Sequence, residues 1–217
     1  MNFNQTLTER VTDLVVAALR DIQYREKSIP ISISARHVHL TKEMIAQLFE
    51  DNYQLHPLKD LSQPNQFAAE ETVELIGPKG SIQKVRILGP ERSHSQVEIS
   101  LSDARKLGIK VPVRSSGNLT GTPGIRLRTS MAEIALEQGL IIADRHIHMT
   151  MRDAEKFLVQ NGEKVDIVVE GIKGGVFSGV TIRISEDYCL DCHLDTDDAN
   201  AFQIQPGQRA LIKKPLP

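Results

Sequence analysis

Apolar positions along the chain fall into two rhythms. From Gln5 to Tyr24 they recur at three- and four-residue steps (Leu7, Val11, Leu14, Val15, Ala18, Leu19, Ile22), which predicts an amphipathic helix over residues 5–24. Thr6 or Thr8 offers a cap, and Glu9 suits the first turn. Beyond it the apolar runs are short and bounded by Gly, Pro and polar turns. Ile29 to Val38 reads as one strand, and Thr41 then caps a helix from Lys42 to Phe49. Residues 55–67, with two prolines, read as an irregular loop. Strands follow at Thr72–Gly77 and Ile82–Leu88 around a Gly77–Gly80 turn, and a polar turn from Gly89 leads into another strand at Glu98. Ser102–Gly108 is a short helix ended by glycine. Val111–Arg114 and Gly124–Leu127 are further strands, separated by the polar loop Ser115–Pro123.

The second half replays the first. Thr150 caps a helix from Met151 to Leu158, strands fall at Asp166–Glu170 and Gly175–Ile184, Thr196–Ala201 repeats the short helix, and Gln208–Lys213 is a last strand. Short strands and glycine turns favour a mainly β fold of two tandem small β-barrels with short capping helices, related by a pseudo-twofold internal repeat. The expected division puts residues 1–35 with 144–217 in one barrel and 36–143 in the other.

The repeat is densest at Ala35-Arg36-His37-Val38-His39-Leu40-Thr41 and Asp144-Arg145-His146-Ile147-His148-Met149-Thr150. Side chains i and i+2 of a strand share a face, so each pair aims two imidazoles one way while Val38 or Ile147 points into a core. Two adjacent imidazoles suit a metal ion, zinc first. Aligning the halves on Asp103-Ala104 and Asp198-Ala199 sets Glu98 on His193, Arg105 on Asn200 and Ile109 on Ile204. Six ligands result: His37, His39, Glu98, His146, His148 and His193. One tetrahedral structural zinc needs four, so six point to two ions with positions open to substrate.

Composition narrows the setting. Lys and Arg number 26 against 28 Asp and Glu, which leaves no nucleic-acid or membrane footprint. No apolar run approaches the roughly 18 residues of a membrane span, and no secretory signal is visible. Two cysteines, Cys189 and Cys192, are too few for a disulfide framework, and buried thiols are expected. The chain reads as soluble and cytoplasmic. Arg92 precedes Glu98 in the turn entering its strand, and its guanidinium fork matches phosphate or carboxylate. Arg36 and Arg145 should point away from the metals, toward acids such as Asp144 or Asp191. His56 and His94 have no counterpart in the repeat and read as loop residues, His94 being a lesser candidate for phosphate.

Gathered together, these residues resemble the PduL-type phosphate propanoyltransferases, the phosphotransacylases of propanediol-using bacteria. The likeness runs from about Ile29 to the C-terminus through Ser-Ala-Arg-His-Val-His-Leu, Leu-Lys-Asp-Leu-Ser-Gln-Pro-Asn-Gln-Phe-Ala, Leu-Gly-Pro-Glu-Arg, Gln-Val-Glu, Asp-Arg-His-Ile-His-Met, and His193 with Asp198-Ala-Asn200. Where the family usually carries threonine before Gln-Val-Glu, this chain has Ser95, which keeps the hydroxyl. The resemblance implies tandem β-barrels, a dinuclear zinc site between them with the six residues as ligands, and acyl transfer from coenzyme A to phosphate. It implies that Arg92 holds phosphate and that coenzyme A meets Ser34, Lys59, Arg86, Leu88, His193 and Asn200, with Phe67 a wall for pantetheine. Cobalt, nickel or iron would also suit such ligands.

The expected reaction is direct displacement, because no side chain stands out as a covalent nucleophile. The alternatives are a zinc-dependent thioester or amide hydrolase and a metal-stabilised binding module. The substrates would be a coenzyme A thioester and phosphate, or an acyl phosphate in reverse. The helix over residues 5–24 either packs on a barrel, the favoured reading, or is a docking peptide for shell or core proteins of a bacterial microcompartment. A homo-oligomer is expected.

Overall fold

The computed structural model describes residues 3–213; in the first helix it describes the side chains of only some residues. Its framework is two β-sheets. The first closes into a six-stranded barrel in the order β1-β14-β11-β13-β12-β15. Its strands are β1 (Ser28–Ser34), β11 (His146–Met149), β12 (Lys164–Val169), β13 (Gly175–Ile184), β14 (Asp191–Asp195) and β15 (Arg209–Lys213). The second sheet is curled but does not close. It runs β7 (Val113–Arg114), β10 (Leu140–Ala143), β6 (Gln96–Glu98), β2 (His37–His39), β5 (Ser81–Gly89), β4 (Phe67–Ile76), β8 (Ile125–Arg128), β9 (Glu133–Leu136), with β3 (Pro57–Asp60) paired to β4.

Each sheet folds over its own apolar core. Ile29, Ile147, Met149, Ile167, Val180, Ile182 and Cys192 fill the barrel; Val38, Leu75, Val85, Ile87, Val97, Leu127 and Leu140 fill the other. Fully burying one such side chain contributes about 1.5–3 kcal/mol. Short helices close the ends: α2 (Lys42–Leu48) and α3 (Leu101–Leu107) on the curled sheet, α4 (Met151–Phe157) and α5 (Thr196–Phe202) on the barrel. The caps follow the local sequence. Ser100 and Thr150 each accept from the backbone N–H three residues on and are answered by Asp103 and Asp153, which completes two capping boxes. Gly108 ends α3 at φ 76°, a left-handed angle that glycine adopts without a Cβ penalty.

Three local expectations are corrected. Residues 29–38 are not one strand: the chain leaves the barrel at Ser34, turns at Ala35-Arg36, and enters the curled sheet as β2. The second half makes the inverse crossing, with β10 in the curled sheet and β11 in the barrel. Each sheet thus receives one strand from the other half. Residues 57–60 of the expected loop form β3, and Glu133–Leu136 adds the unforeseen edge strand β9.

The first helix, α1, extends over Phe3–Lys27 and runs straight into β1. The favoured reading, that its apolar stripe packs on a barrel, is not what the structure has: Val11, Leu14, Val15, Leu19 and Ile22 are all exposed, and the side chain of Leu7 lies outside the described residues. Among the described residues, no helix is long and apolar enough to cross a membrane.

His56 is not a free loop residue. Glu71 of β4 is buried and accepts from the Tyr53 hydroxyl at 2.9 Å and the His56 ring Nδ1 at 2.7 Å, which ties the start of β3 to the sheet. Burial pushes the Glu71 carboxyl up, but the hydrogen bonds from His56 and Tyr53 bring it below its usual range; the bond to Glu71 raises His56. Folding thus favours a proton on His56 and none on Glu71. The latch is complete between the ordinary values of 4.5 and 6.5, weakening as pH falls through the lowered carboxyl or rises through the raised imidazole. Glu71→Gln is expected to lower the melting temperature by about 2–8 °C at pH 6, a gap that narrows at pH 9. Thermal unfolding at the two pH values checks this.

Candidate active site between the two sheets

Strand register builds the site twice. In the curled sheet, antiparallel β2 and β6 pair His37 with Glu98 and His39 with Gln96. In the barrel, antiparallel β11 and β14 pair His146 with His193 and His148 with Asp191. Residues alternate faces, so Val38, Val97, Ile147 and Cys192, all fully buried, point into the cores while the polar partners share the opposite face. The two exchanged strands lie parallel alongside: Ser32 of β1 beside His193, and Ile141 of β10 beside Glu98.

Two three-donor sets result, His37/His39/Glu98 and His146/His148/His193, and within each the donor atoms lie within 4.8 Å of one another. Local backbone fixes part of the ring chemistry. His37 Nδ1 lies 2.8 Å from the Ala35 carbonyl, and His146 Nδ1 lies 2.8 Å from that of Asp144. A carbonyl only accepts, so Nδ1 carries the proton in both and Nε2 is left for a ligand. His37 Nε2 stands 3.5 Å from Glu98 Oε2. The Nδ1 atoms of His39 and His148 are buried without a hydrogen-bond partner among the described residues. Buried nitrogens left unpaired are costly, and a bound cation would satisfy them.

Burial pushes the Glu98 carboxyl up, but the adjacent His37 outweighs it and holds the group far below its ordinary range, as a carboxylate. Burial and neighbouring positive charge lower His39, take His146 to about 4 and take His148 to about 2. These are neutral imidazoles at physiological pH, the form that ligates a metal. His37 is the exception, because burial lowers it while Glu98 lifts it further. The donor set therefore fits a pair of borderline cations such as zinc.

Both sets face one cavity of about 790 Å³, lined from the two sheets by Ser34, Lys59, Arg86, Leu88, Arg92 and Arg183 as well as the donors. Arg92 sits in the turn before β6, where its backbone N–H donates to Leu40 at 2.9 Å. Burial pulls its guanidinium pKa down, Glu98 opposes that and the nearby Arg183 adds to it. Arginine keeps its charge in such surroundings, so the cavity places two fixed cations beside two clusters of metal donors.

Matches to known proteins agree with this chemistry. A family model described as phosphate propanoyltransferase covers residues 30–205. This chain belongs to that family. Relatives named phosphate propanoyltransferase include a protein of Alkaliphilus metalliredigens, 47% identical over 206 residues, covering 95% of this chain and 97% of the relative. One from Thermotoga maritima is 45% identical over 206 residues, covering 93% and 98%. One from Salmonella typhimurium is 49% identical over 195 residues, covering 87% and 91%.

The cavity gathers most, not all, of the residues singled out by sequence. The six donors, Arg92, Ser34, Lys59, Arg86 and Leu88 line it. Asn200 is exposed on α5 and does not. Phe67 is also outside the lining; its ring lies over Gly89, where a Cβ would come within 2.2 Å of Phe67 Cζ. Arg86 is partly engaged, donating to the carbonyls of Ala69 and Glu70 at 3.0 and 2.7 Å. Arg145 stays out of the cavity as expected, whereas Arg36 lines it, and both reach other acids than expected. They pair with Asp103 and Asp198 at 2.9 and 2.8 Å, so each motif arginine anchors the short helix of its own repeat. Cys192 is buried, and burial pushes its thiol up; Cys189 is exposed, against the expectation of two buried thiols.

Four residues were missed. Arg183 comes from β13, where parallel pairing sets it beside His148. Tyr188 stacks on His148, ring centroids 4.1 Å apart. Gln63 holds the next residue, Cys189, by both backbone groups, at 3.0 and 3.2 Å. Arg183 and Tyr188 carry no motif, Gln63 stands in the 58–68 stretch without a sign of its role, and only tertiary contact brings the three to the site. Gln96 did carry a signal: it precedes Glu98 by two residues, as Asp191 precedes His193.

Proposed function

We propose that this chain moves a propanoyl group between coenzyme A and inorganic phosphate, by direct displacement, in the cavity between the two sheets. The observation that carries the reading is the pair of equivalent three-donor sets open to one cavity that also holds Arg92 and Arg183. In this reading His37, His39 and Glu98 hold one zinc ion and His146, His148 and His193 the other. Bound there, the ions would supply Lewis acidity at the thioester carbonyl. Arg92 binds phosphate through its fork and aims one oxygen at that carbonyl. Lys59 and Arg86 meet the phosphates of coenzyme A, Ser34 and Leu88 flank its path, His193 lies at its reactive end, and Asn200, outside the cavity lining, would meet only a part of coenzyme A that extends beyond it. Cys192 is buried with its thiol pushed up, and Ser93 meets His94 at 3.1 Å but outside the cavity, so neither supports an acyl-enzyme.

The same reading treats residues 1–35 with 144–217 and residues 36–143 as two domains, the active site lying between them. The exposed stripe of α1 supports a docking role, with a bacterial microcompartment as destination.

Thiol release from propanoyl-CoA tests the reaction. Release is expected to require both phosphate and a chelatable metal, and to return with added Zn2+. Release that needs metal but ignores phosphate would identify a thioester hydrolase instead.

A further inference from the structure

Each half-site has an outer residue at the same place in the repeat. Gln96 and Asp191 lie 95 positions apart, the spacing that also relates Glu98 to His193. The register repeats too: Gln96 stands opposite His39 as Asp191 stands opposite His148. Both are buried, at 2% exposure. Gln96 Nε2 donates to Glu98 Oε1 at 2.5 Å, and the amide is itself clamped by Ser116 Oγ at 2.9 Å and the Gly117 N–H at 2.8 Å. Asp191 Oδ2 lies 3.2 Å from His193 Nε2, and the hydroxyls of Ser32 and Ser62 also reach its carboxylate. Asp191 also stands outside the donor set of its half-site.

We propose that Gln96 and Asp191 are equivalent positioning residues, each holding the third metal donor of its own half-site. The inference rests on the metal reading above. The residue types match their tasks. Glu98 is an acceptor, so its support is an amide donor, which occupies Oε1 and leaves Oε2 for the ion. His193 must be neutral with one N–H, so its support is a carboxylate acceptor, which keeps the proton on Nε2 and turns Nδ1 to the ion. A buried carboxylate at this distance makes the opposite tautomer unfavourable, because that would set Asp191 against a lone pair of His193. Substitution of an outer partner of this kind typically weakens metal binding 10–100-fold. The effect is local to one half-site, because the two supports belong to different sheets.

The test titrates the full-length metal-free chain with Zn2+ against a chromogenic chelator. Wild type is expected to bind two ions. Asp191→Ala should weaken one of them by about 10–100-fold and leave the other unchanged, with Asp191→Asn intermediate because its amide oxygen still accepts from Nε2. Gln96→Ala should weaken the other ion alone, and the double variant both. Far-ultraviolet circular dichroism and melting temperature of the metal-free variants should stay near wild type. Two ions bound at wild-type affinity in both single variants would overturn this inference alone. Equal weakening of both ions by either variant, with a lowered melting temperature, would make the residues merely structural and also overturn it. A wild-type chain that binds no Zn2+ would overturn the metal reading and this inference together.

Discussion

Arg92→Ala is expected to lose phosphate-dependent thiol release by about 10²–10³-fold, the usual loss when one preorganised charge or donor is removed at a reacting centre. The residue faces the cavity together with the donor sets, and the backbone bond to Leu40 fixes the turn that carries it. Partial burial makes the cation stronger toward an anion than it would be in water, while Glu98 keeps it charged. Arg183 remains in the variant and provides charge, so some phosphate binding should survive; the fork that orients phosphate is lost. The expected signature is therefore a large fall in kcat with a smaller rise in KM for phosphate. Arg92→Lys keeps a charge without the planar fork and should recover only part of the rate. Initial rates over a phosphate series separate the two effects. Unchanged phosphate dependence in Arg92→Ala would remove Arg92 from the reaction.

The second large effect falls on stability. Ile147→Ala should cost about 2–5 kcal/mol, seen as a fall of about 4–20 °C in melting temperature. Ile147 is fully buried in the barrel core and lies between the donors His146 and His148 on the same short strand. Truncation leaves a cavity directly behind the face that carries His146 and His148, and β11 has only four residues with which to resist the shift. Ile147→Val should cost about 0.5–1.5 kcal/mol, since the branched shape is kept. Chemical denaturation of the metal-free protein measures both, free of any contribution from bound ions.

Several of these features were legible along the chain. A His-X-His pair has period two, the period of a strand, so two imidazoles on one face and one apolar residue on the other follow from local geometry. The matching of Glu98 with His193 also needed no structure, because the short helices after them share Asp-Ala. The small helices were placed well, because their caps are encoded within three residues of the helix start. The same locality explains the failures. Ile29 to Val38 carries apolar residues on both sides of Ala35-Arg36, so nothing in the pattern marks a change of sheet. Arg36 could have met any nearby acid; its pairing with Asp103 depends on where α3 comes to rest. The edge strand β9 does alternate, with Ile134 and Leu136 turned inward between exposed Glu133 and Ala135, but four residues are too short a run for that period to stand out along the chain.

By itself, the sequence determined the donor types, their pairing on strand faces, the twofold repeat and the mainly β class, because each depends on residues a few positions apart or on internal copying. The tertiary structure alone decided that one sheet closes while the other only curls, and that Arg183, Tyr188 and Gln63 join the site. These are outcomes of pairing between strands distant in sequence. Hydrogen-bonded register, not local preference, selects which residues meet, and a one-residue slip would send every donor to the other face.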